Sequence, residues 1–173
     1  MRIAVITVSD RASRGEYEDR SGPEIERVLR EAGVGGAEGV EIAREIVPDE
    51  ADAIRAALDR FGARPASAGG AGTAARPADF IITTGGTGLG PRDITPDVTR
   101  EWCERDLPGI AETIRAESLR ETATAMLSRG YAGVRGSTIV VNVPGSRRGA
   151  AFATGVLVPV MDHALGMLEG GGH

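Results

Sequence analysis

Residues 2–9, RIAVITVS, form a nearly continuous β-branched run of strand length, the pattern of a strand buried on both faces. A polar loop follows. Ser21 then stands as a helix cap with Pro23 in the first turn, Ile25, Val28, Leu29 and Ala32 recur at helical spacing, and Gly33 ends the segment. Residues 40–47 read as a second strand with a more mixed face. Pro48-Asp49 opens a helix whose apolar stripe is Ile54, Ala57, Leu58 and Phe61. Small residues and prolines then break the pattern over 62–77, which predicts a flexible surface insertion.

Residues 78–84, ADFIITT, give a third strand. Two helical stretches follow, 95–106 and 110–127, with Leu107-Pro108-Gly109 between them. Residues 137–143 give a fourth strand and about 150–168 a long apolar helix. Strand and helix alternate without an internal repeat. The expected fold is therefore α/β: one domain spanning 1–173, three layers, a mostly parallel sheet with helices on both faces.

Ligands in such sheets bind beyond the carboxyl ends of the strands, near a reversal of strand order. Three predicted strand ends are polar or glycine-rich: Ser9-Asp10, the TTGGTG of residues 83–88, and the NVPGS of residues 142–146. Their convergence on one edge would make a single pocket. Glycines placed after a strand let successive N–H groups face an anion, so a phosphate or pyrophosphate is the expected ligand part.

Composition narrows the chemistry. All 20 basic residues are arginine, which removes Schiff-base chemistry and the lysine of a P-loop. Pro91 stands where a dinucleotide fingerprint would need its last glycine. With only His163 and His173, a histidine triad or a multi-histidine metal site is not expected as a basis for function. The one cysteine, Cys103, permits no internal disulfide and reads as a packed side chain in a reducing cytoplasm. A net charge of −5 argues against a nucleic-acid module, and no signal peptide or membrane span is expected.

Downstream of the glycines, RDITPD places Asp93 and Asp97 beside Arg92. Carboxylates next to a phosphate cradle are a usual way of holding Mg²⁺. Each candidate also has a local reading. The glycine loop could merely turn the chain, Asp97 and Asp49 could cap helices, Ser9-Asp10 could open an Asx turn, and Ser128-Arg129 could be a solvated helix end.

The segments SDRAS (9–13), SGP (21–23), VPDE (47–50), TTGGTG (83–88), RDITPD (92–97), LPG (107–109), AMLSR (125–129) and GVRGSTIVVNVPGS (133–146) occur in this order. Together they resemble the MogA/MoaB molybdenum-cofactor biosynthesis family along essentially the whole chain. The resemblance implies the molybdenum-cofactor-biosynthesis fold and a molybdopterin adenylyltransferase. Such an enzyme transfers AMP from Mg-ATP to the terminal phosphate of molybdopterin and releases pyrophosphate. It further implies a cytoplasmic homotrimer, with a transient contact to the molybdenum-inserting enzyme that takes the product.

Carried over by motif, Asp49 and Asp93 are the catalytic and Mg²⁺-holding pair. Thr84, Gly85, Gly86, Thr87 and Gly88 receive phosphates, and Ser9 and Asp10 lie on the nucleotide and substrate side. Ser118, Ser128 and Arg129 lie near the pterin phosphate, and Asn142, Pro144, Gly145 and Ser146 close the pocket. Two other readings remain: a MoaB-like molybdopterin-binding protein with weak or no transfer activity, and a nucleotide-hydrolysing domain of the competence-damage type. VPDE and MLSR argue against the second. The insertion at 62–77 and the absence of lysine are departures from the family pattern.

Overall fold

The structure, a computed structural model, describes residues 1–63, 76–168 and 170. Most of the predicted 62–77 insertion, and His173, lie outside the described residues. The elements run β1 (Arg2–Val8), α1 (Asp10–Ser13), α2 (Ser21–Glu31), β2 (Glu41–Val47), α3 (Ala51–Phe61), β3 (Phe80–Thr84), α4 (Thr95–Trp102), β4 (Arg105–Asp106), α5 (Pro108–Ser118), β5 (Ala132–Arg135), β6 (Thr138–Val143), α6 (Arg147–Leu157) and α7 (Met161–Leu168).

One sheet has the order β2-β1-β3-β6-β5-β4. Its first four strands are parallel, while β5 is antiparallel to both β6 and β4. Alternate residues of the central strands face two separate cores, which is why β1 and β3 read as unbroken apolar runs. Ile3, Val5, Phe80, Ile82, Ile139 and Val141 face one side, against Ile25 and Leu29 of α2 and Ala150, Ala153 and Leu157 of α6. Ala4, Ile6, Ile81 and Val140 face the other, against Ile54 and Leu58 of α3 and Val98 and Trp102 of α4. The expected three layers and mostly parallel sheet are present.

Three local expectations change. Asp19, not Ser21, caps α2: its Oδ1 accepts from the backbone N–H of Ser21 and Gly22 and from the Ser21 hydroxyl. The helix expected over 95–106 stops at Trp102, because Glu104 N–H donates to Val134 O and draws the chain into β4. Tyr131 Oη donates to Asp106 Oδ1 at 2.8 Å and fixes that short strand. The helix expected over 110–127 ends at Ser118, followed by a 3-10 segment at Ala123–Leu127 that the Thr122 hydroxyl caps.

The last helix begins at Arg147 and tightens into a 3-10 turn at Val158–Val160, around Pro159, before α7. The run Arg147–Leu168, 22 residues containing an 18-residue window of mean hydropathy 1.5, is long and apolar enough to cross a membrane by length and composition. Here it packs Ala150, Ala153, Leu157 and Met161 into the core. Burial pushes the Cys103 thiol up to about 11, so it stays protonated near neutral pH, in keeping with a packed side chain.

Candidate functional site

Register sets the site. Val8 pairs with Val47, Thr7 with Thr84, and Thr84 with Val143, so β1, β2, β3 and β6 end at one level. The order reverses between β1 and β3, the place where a doubly wound sheet opens to a ligand. Four loops emerge there: Ser9-Asp10, Pro48-Asp49, the glycine loop with RDITPD, and Pro144-Gly145-Ser146.

Two glycines of the loop are dictated by backbone conformation and space. Gly85 has φ +100, and a Cβ there would stand 2.3 Å from Val8 O. Gly86 has φ +61, and its Cβ position lies 2.3 Å from Thr95 Oγ1 and 3.2 Å from Asp49 Oδ1. Thr84 Oγ1 donates to Pro144 O at 2.8 Å, and Arg129 N–H donates to Thr87 O at 2.9 Å. The bare loop is thus clamped from both sides.

Asp49 does not cap α3: the N-cap is Glu50, and it makes no side-chain cap hydrogen bond. Instead Asp49 Oδ2 accepts from Asp10 N–H at 2.7 Å, and Asp10 Oδ1 accepts from Asp49 N–H at 3.0 Å. Arg92 Nη2 donates to both Asp10 carboxylate oxygens, at 2.8 and 2.7 Å. Asp10 is therefore paired and acts as a strut under Asp49. Desolvation raises the Asp49 pKa, with the Asp10 and Asp93 charges adding to it against the Asp10 N–H and Arg92. At Asp10 partial desolvation also pushes upward, but Arg92 and the Asp49 N–H outweigh it and hold the carboxyl below its ordinary value.

Asp93 Oδ2 accepts from Gly90 N–H at 2.8 Å. Among the described residues neither Asp49 Oδ1 nor Asp93 Oδ1 receives a hydrogen bond, and no group of three His, Cys, Asp or Glu residues forms a metal cage. Two hard oxygens without a cage suit an ion that takes its remaining ligands from phosphate and water, as Mg²⁺ does.

Clefts flank the glycine loop. The larger, about 530 Å³, brings together Thr87, Gly88, Ser118, Ser128, Pro144 and Ser146 from the sequence expectations. Leu89, Phe152 and Arg148 join them. The smaller, about 330 Å³, holds Ser9, Thr84, Gly85 and Gly145, with Tyr17 and Arg147 added, and shares Ser146. Tyr17 is flanked by the guanidinium groups of Arg11 and Arg20, at 5.2 and 5.9 Å from its ring centre. The sequence reading missed Arg147 and Arg148. Their signal was legible, because two arginines in the first turn of a helix oppose its dipole unless an anion or carboxylate is near. Here Arg147 pairs with Glu24 and Arg148 with Glu121.

Other expected site residues occupy supporting positions. The Ser9 hydroxyl accepts from Ala12 N–H and caps α1 while lining the smaller cleft. Arg129 lines neither cleft; its guanidinium pairs with Asp97 and donates to Asp93 O, tying the RDITPD loop down.

Asn142 is 3% exposed and lines neither cleft. Its Nδ2 donates to Thr83 Oγ1 at 2.8 Å and Thr99 Oγ1 at 3.0 Å, and its Oδ1 accepts from Tyr131 N–H. It joins β6 to β3, α4 and β5 beneath the loop. Asn142→Ala strands the Thr83 hydroxyl and the Tyr131 N–H, while the Thr99 hydroxyl keeps its bond to Thr95 O, and should lower the unfolding free energy by about 2–3 kcal/mol in a urea titration.

Fold and site together define an α/β protein with two clefts at the carboxyl edge of the parallel strands of a mixed sheet. The profile of one family, described as "Probable molybdopterin binding domain", matches residues 4–163, and the chain belongs to that family. A molybdopterin adenylyltransferase of Helicobacter pylori strain J99 is 35% identical over 170 residues, covering 98% of this chain and 89% of that protein. A molybdenum cofactor biosynthesis bifunctional protein of Chlorobaculum tepidum is 39% identical, covering 99% of this chain and 50% of that protein. The crystal structure of the molybdopterin biosynthesis enzyme MoaB from Thermus thermophilus superposes with a TM-score of 0.79 at 43% identity, covering 98% of this chain and 96% of that one.

Proposed function

We propose that the protein is a molybdopterin adenylyltransferase of molybdenum cofactor biosynthesis, moving AMP from ATP to the terminal phosphate of molybdopterin. The observation that carries this reading is the placement of Asp49. Its carboxylate is diverted from its own helix and held by Asp10; it lines neither cleft, but its Oδ1 lies 3.2 Å from the Cβ position of Gly86, in the loop that the two clefts flank. The larger cleft, with the apolar walls Leu89 and Phe152 and the hydroxyls of Ser118 and Ser128, suits a pterin with a phosphate. The smaller suits the nucleotide, with the Tyr17 ring as a face for the base.

In this reaction an oxygen of the pterin phosphate bonds to the α-phosphorus of ATP. The bond from that phosphorus to the bridging oxygen breaks, and pyrophosphate leaves with the electron pair. The attacking phosphate is already anionic near neutral pH, so no histidine base is required. Asp49 and Asp93 would hold Mg²⁺, which when bound neutralises phosphate charge. The loop backbone from Gly86 to Gly88 supplies donors to the charge developing on the transferred group. Asp10 and Arg92 fix Asp49, while Arg129 fixes the segment that carries Asp93.

The same reading makes the protein a cytoplasmic homotrimer that hands its product to the enzyme inserting molybdenum. The exposed Val160 and Met167, beside an apolar groove of about 500 Å³ between α5 and the last helices, offer a surface for subunit contact.

Anaerobic incubation with molybdopterin, ATP and Mg²⁺, followed by mass spectrometry, tests the function. Adenylyl-molybdopterin and pyrophosphate are expected only with all three present, and chelation of Mg²⁺ with EDTA should abolish both. Pterin binding without product would instead favour a non-catalytic molybdopterin-binding protein. Pyrophosphate or phosphate release without molybdopterin would point to hydrolysis.

A further inference from the structure

Among the described residues only two buried side-chain polar atoms have no hydrogen-bond partner, Thr95 Oγ1 and Arg135 Nε. The second has a ready account, since the Arg135 guanidinium lies over the Trp102 ring at 4.5 Å from its centre. Thr95 has none. It is fully buried at the start of α4; its N–H donates to Gly86 O, and its own carbonyl is taken by the Thr99 hydroxyl. An orphaned hydroxyl costs stability that a valine of the same shape would not.

What the hydroxyl faces is specific. Thr95 Oγ1 and Asp49 Oδ1 both lie within 3.2 Å of the point where a Cβ on Gly86 would stand. That oxygen of Asp49 is the one left over after Asp10 N–H takes Oδ2. A donor without an acceptor and an acceptor without a donor thus meet across a gap that a glycine keeps open.

We propose that Thr95 is a positioning residue of the transfer site, whose hydroxyl donates to Asp49 Oδ1 across the Gly86 gap when nucleotide is bound. The hydroxyl has no partner within the fold itself, and the loaded site uses it to orient the carboxylate. Only the kinetic arm of the test rests on the transferase reading.

Thr95→Val and Thr95→Ser separate the hydroxyl from the methyl group. In the ligand-free protein Thr95→Val should raise the Tm by about 2–4 °C, because it removes an unsatisfied buried group. It should weaken binding of Mn²⁺ with α,β-methylene-ATP, read by electron paramagnetic resonance. It should also lower kcat about ten- to a hundredfold, the scale of one hydrogen bond to a charged group, with KM for molybdopterin nearly unchanged. Thr95→Ser should restore both binding and turnover.

A ligand-free Tm that falls in Thr95→Val would overturn the proposal, as would native-like binding and turnover in that variant. Equal impairment of the serine and valine variants would also overturn it, since packing of the methyl group would then be the cause. Should native protein yield no adenylylated product, the transferase reading fails and the Mn²⁺-nucleotide affinities alone decide: weakened by valine and kept by serine sustains the role of Thr95, and no change ends it.

Discussion

Asp49→Asn is expected to slow adenylyl transfer by about 10²–10³-fold, the scale of losing one group aimed at developing charge. The fold should be unharmed. The amide oxygen still accepts from Asp10 N–H, and the variant removes a desolvated charge that Asp10 and Asp93 both repel. A carboxylate whose pKa is raised by folding holds its proton more tightly in the native state. Its contribution to stability is therefore present at low pH and lost as pH rises through the native pKa. Abolishing that titration leaves the Tm near neutral pH equal or higher, so a fall in rate cannot be assigned to unfolding.

The same ionisation sets a pH signature for the native protein. The charged form of Asp49 is the working form, and without metal it takes up its proton above the ordinary aspartate range, so loading of Mg²⁺, and turnover at limiting Mg²⁺, should weaken as pH falls. Single-turnover rates across pH, beside thermal melts of both proteins, check each part. Equal rates for the two proteins would remove Asp49 from the chemistry.

Much of this arrangement was legible in the chain. β1 and β3 are apolar on both faces because each lies between two helical layers, and such runs announce themselves. The polar and glycine-rich ends of β1, β3 and β6 do meet, because parallel strands in register must end on one edge. Less visible was β5, four residues entered through Tyr131, although Gly136-Ser137 after it is an ordinary hairpin signal. Strand β4 has two exposed residues and no pattern of its own; only pairing with β5 makes it a strand.

At the site, motif position located the loops but not the direction of each side chain. Asn142 and Arg129 sit in polar motifs, yet the first is saturated beneath the loop and the second is spent on Asp97. Asp10 likewise faces Asp49 and Arg92. Asp49 had two local readings, a helix cap or a ligand-facing group, and residue spacing could not choose between them. Its partner, Asp10, is 39 residues away in the chain. Thr95 passed unnoticed because an unsatisfied hydroxyl is a property of packing and leaves no mark on periodicity.

Gly85→Ala should damage both stability and turnover, and by more than its single methyl group suggests. Two independent costs coincide there. At φ +100 an L side chain is strained, and the added Cβ would stand 2.3 Å from Val8 O, an atom of the central strand that cannot rotate away. Together they should cost about 2–4 kcal/mol, visible as a lower urea midpoint. Relief requires the loop to retreat from β1, which moves the donors beside Thr84 and the junction of the two clefts. Even the folded fraction should then lose at least about tenfold in rate, since displacements near 1 Å at a reacting centre cost up to a hundredfold. Gly155→Ala supplies the contrast. It lies within α6 with nothing within 4 Å of its Cβ position, so it should be neutral or stabilise the fold by about 0.5–1 kcal/mol. Were both variants equally benign, the loop would be plastic, and close backbone approach would not be what these glycines are for.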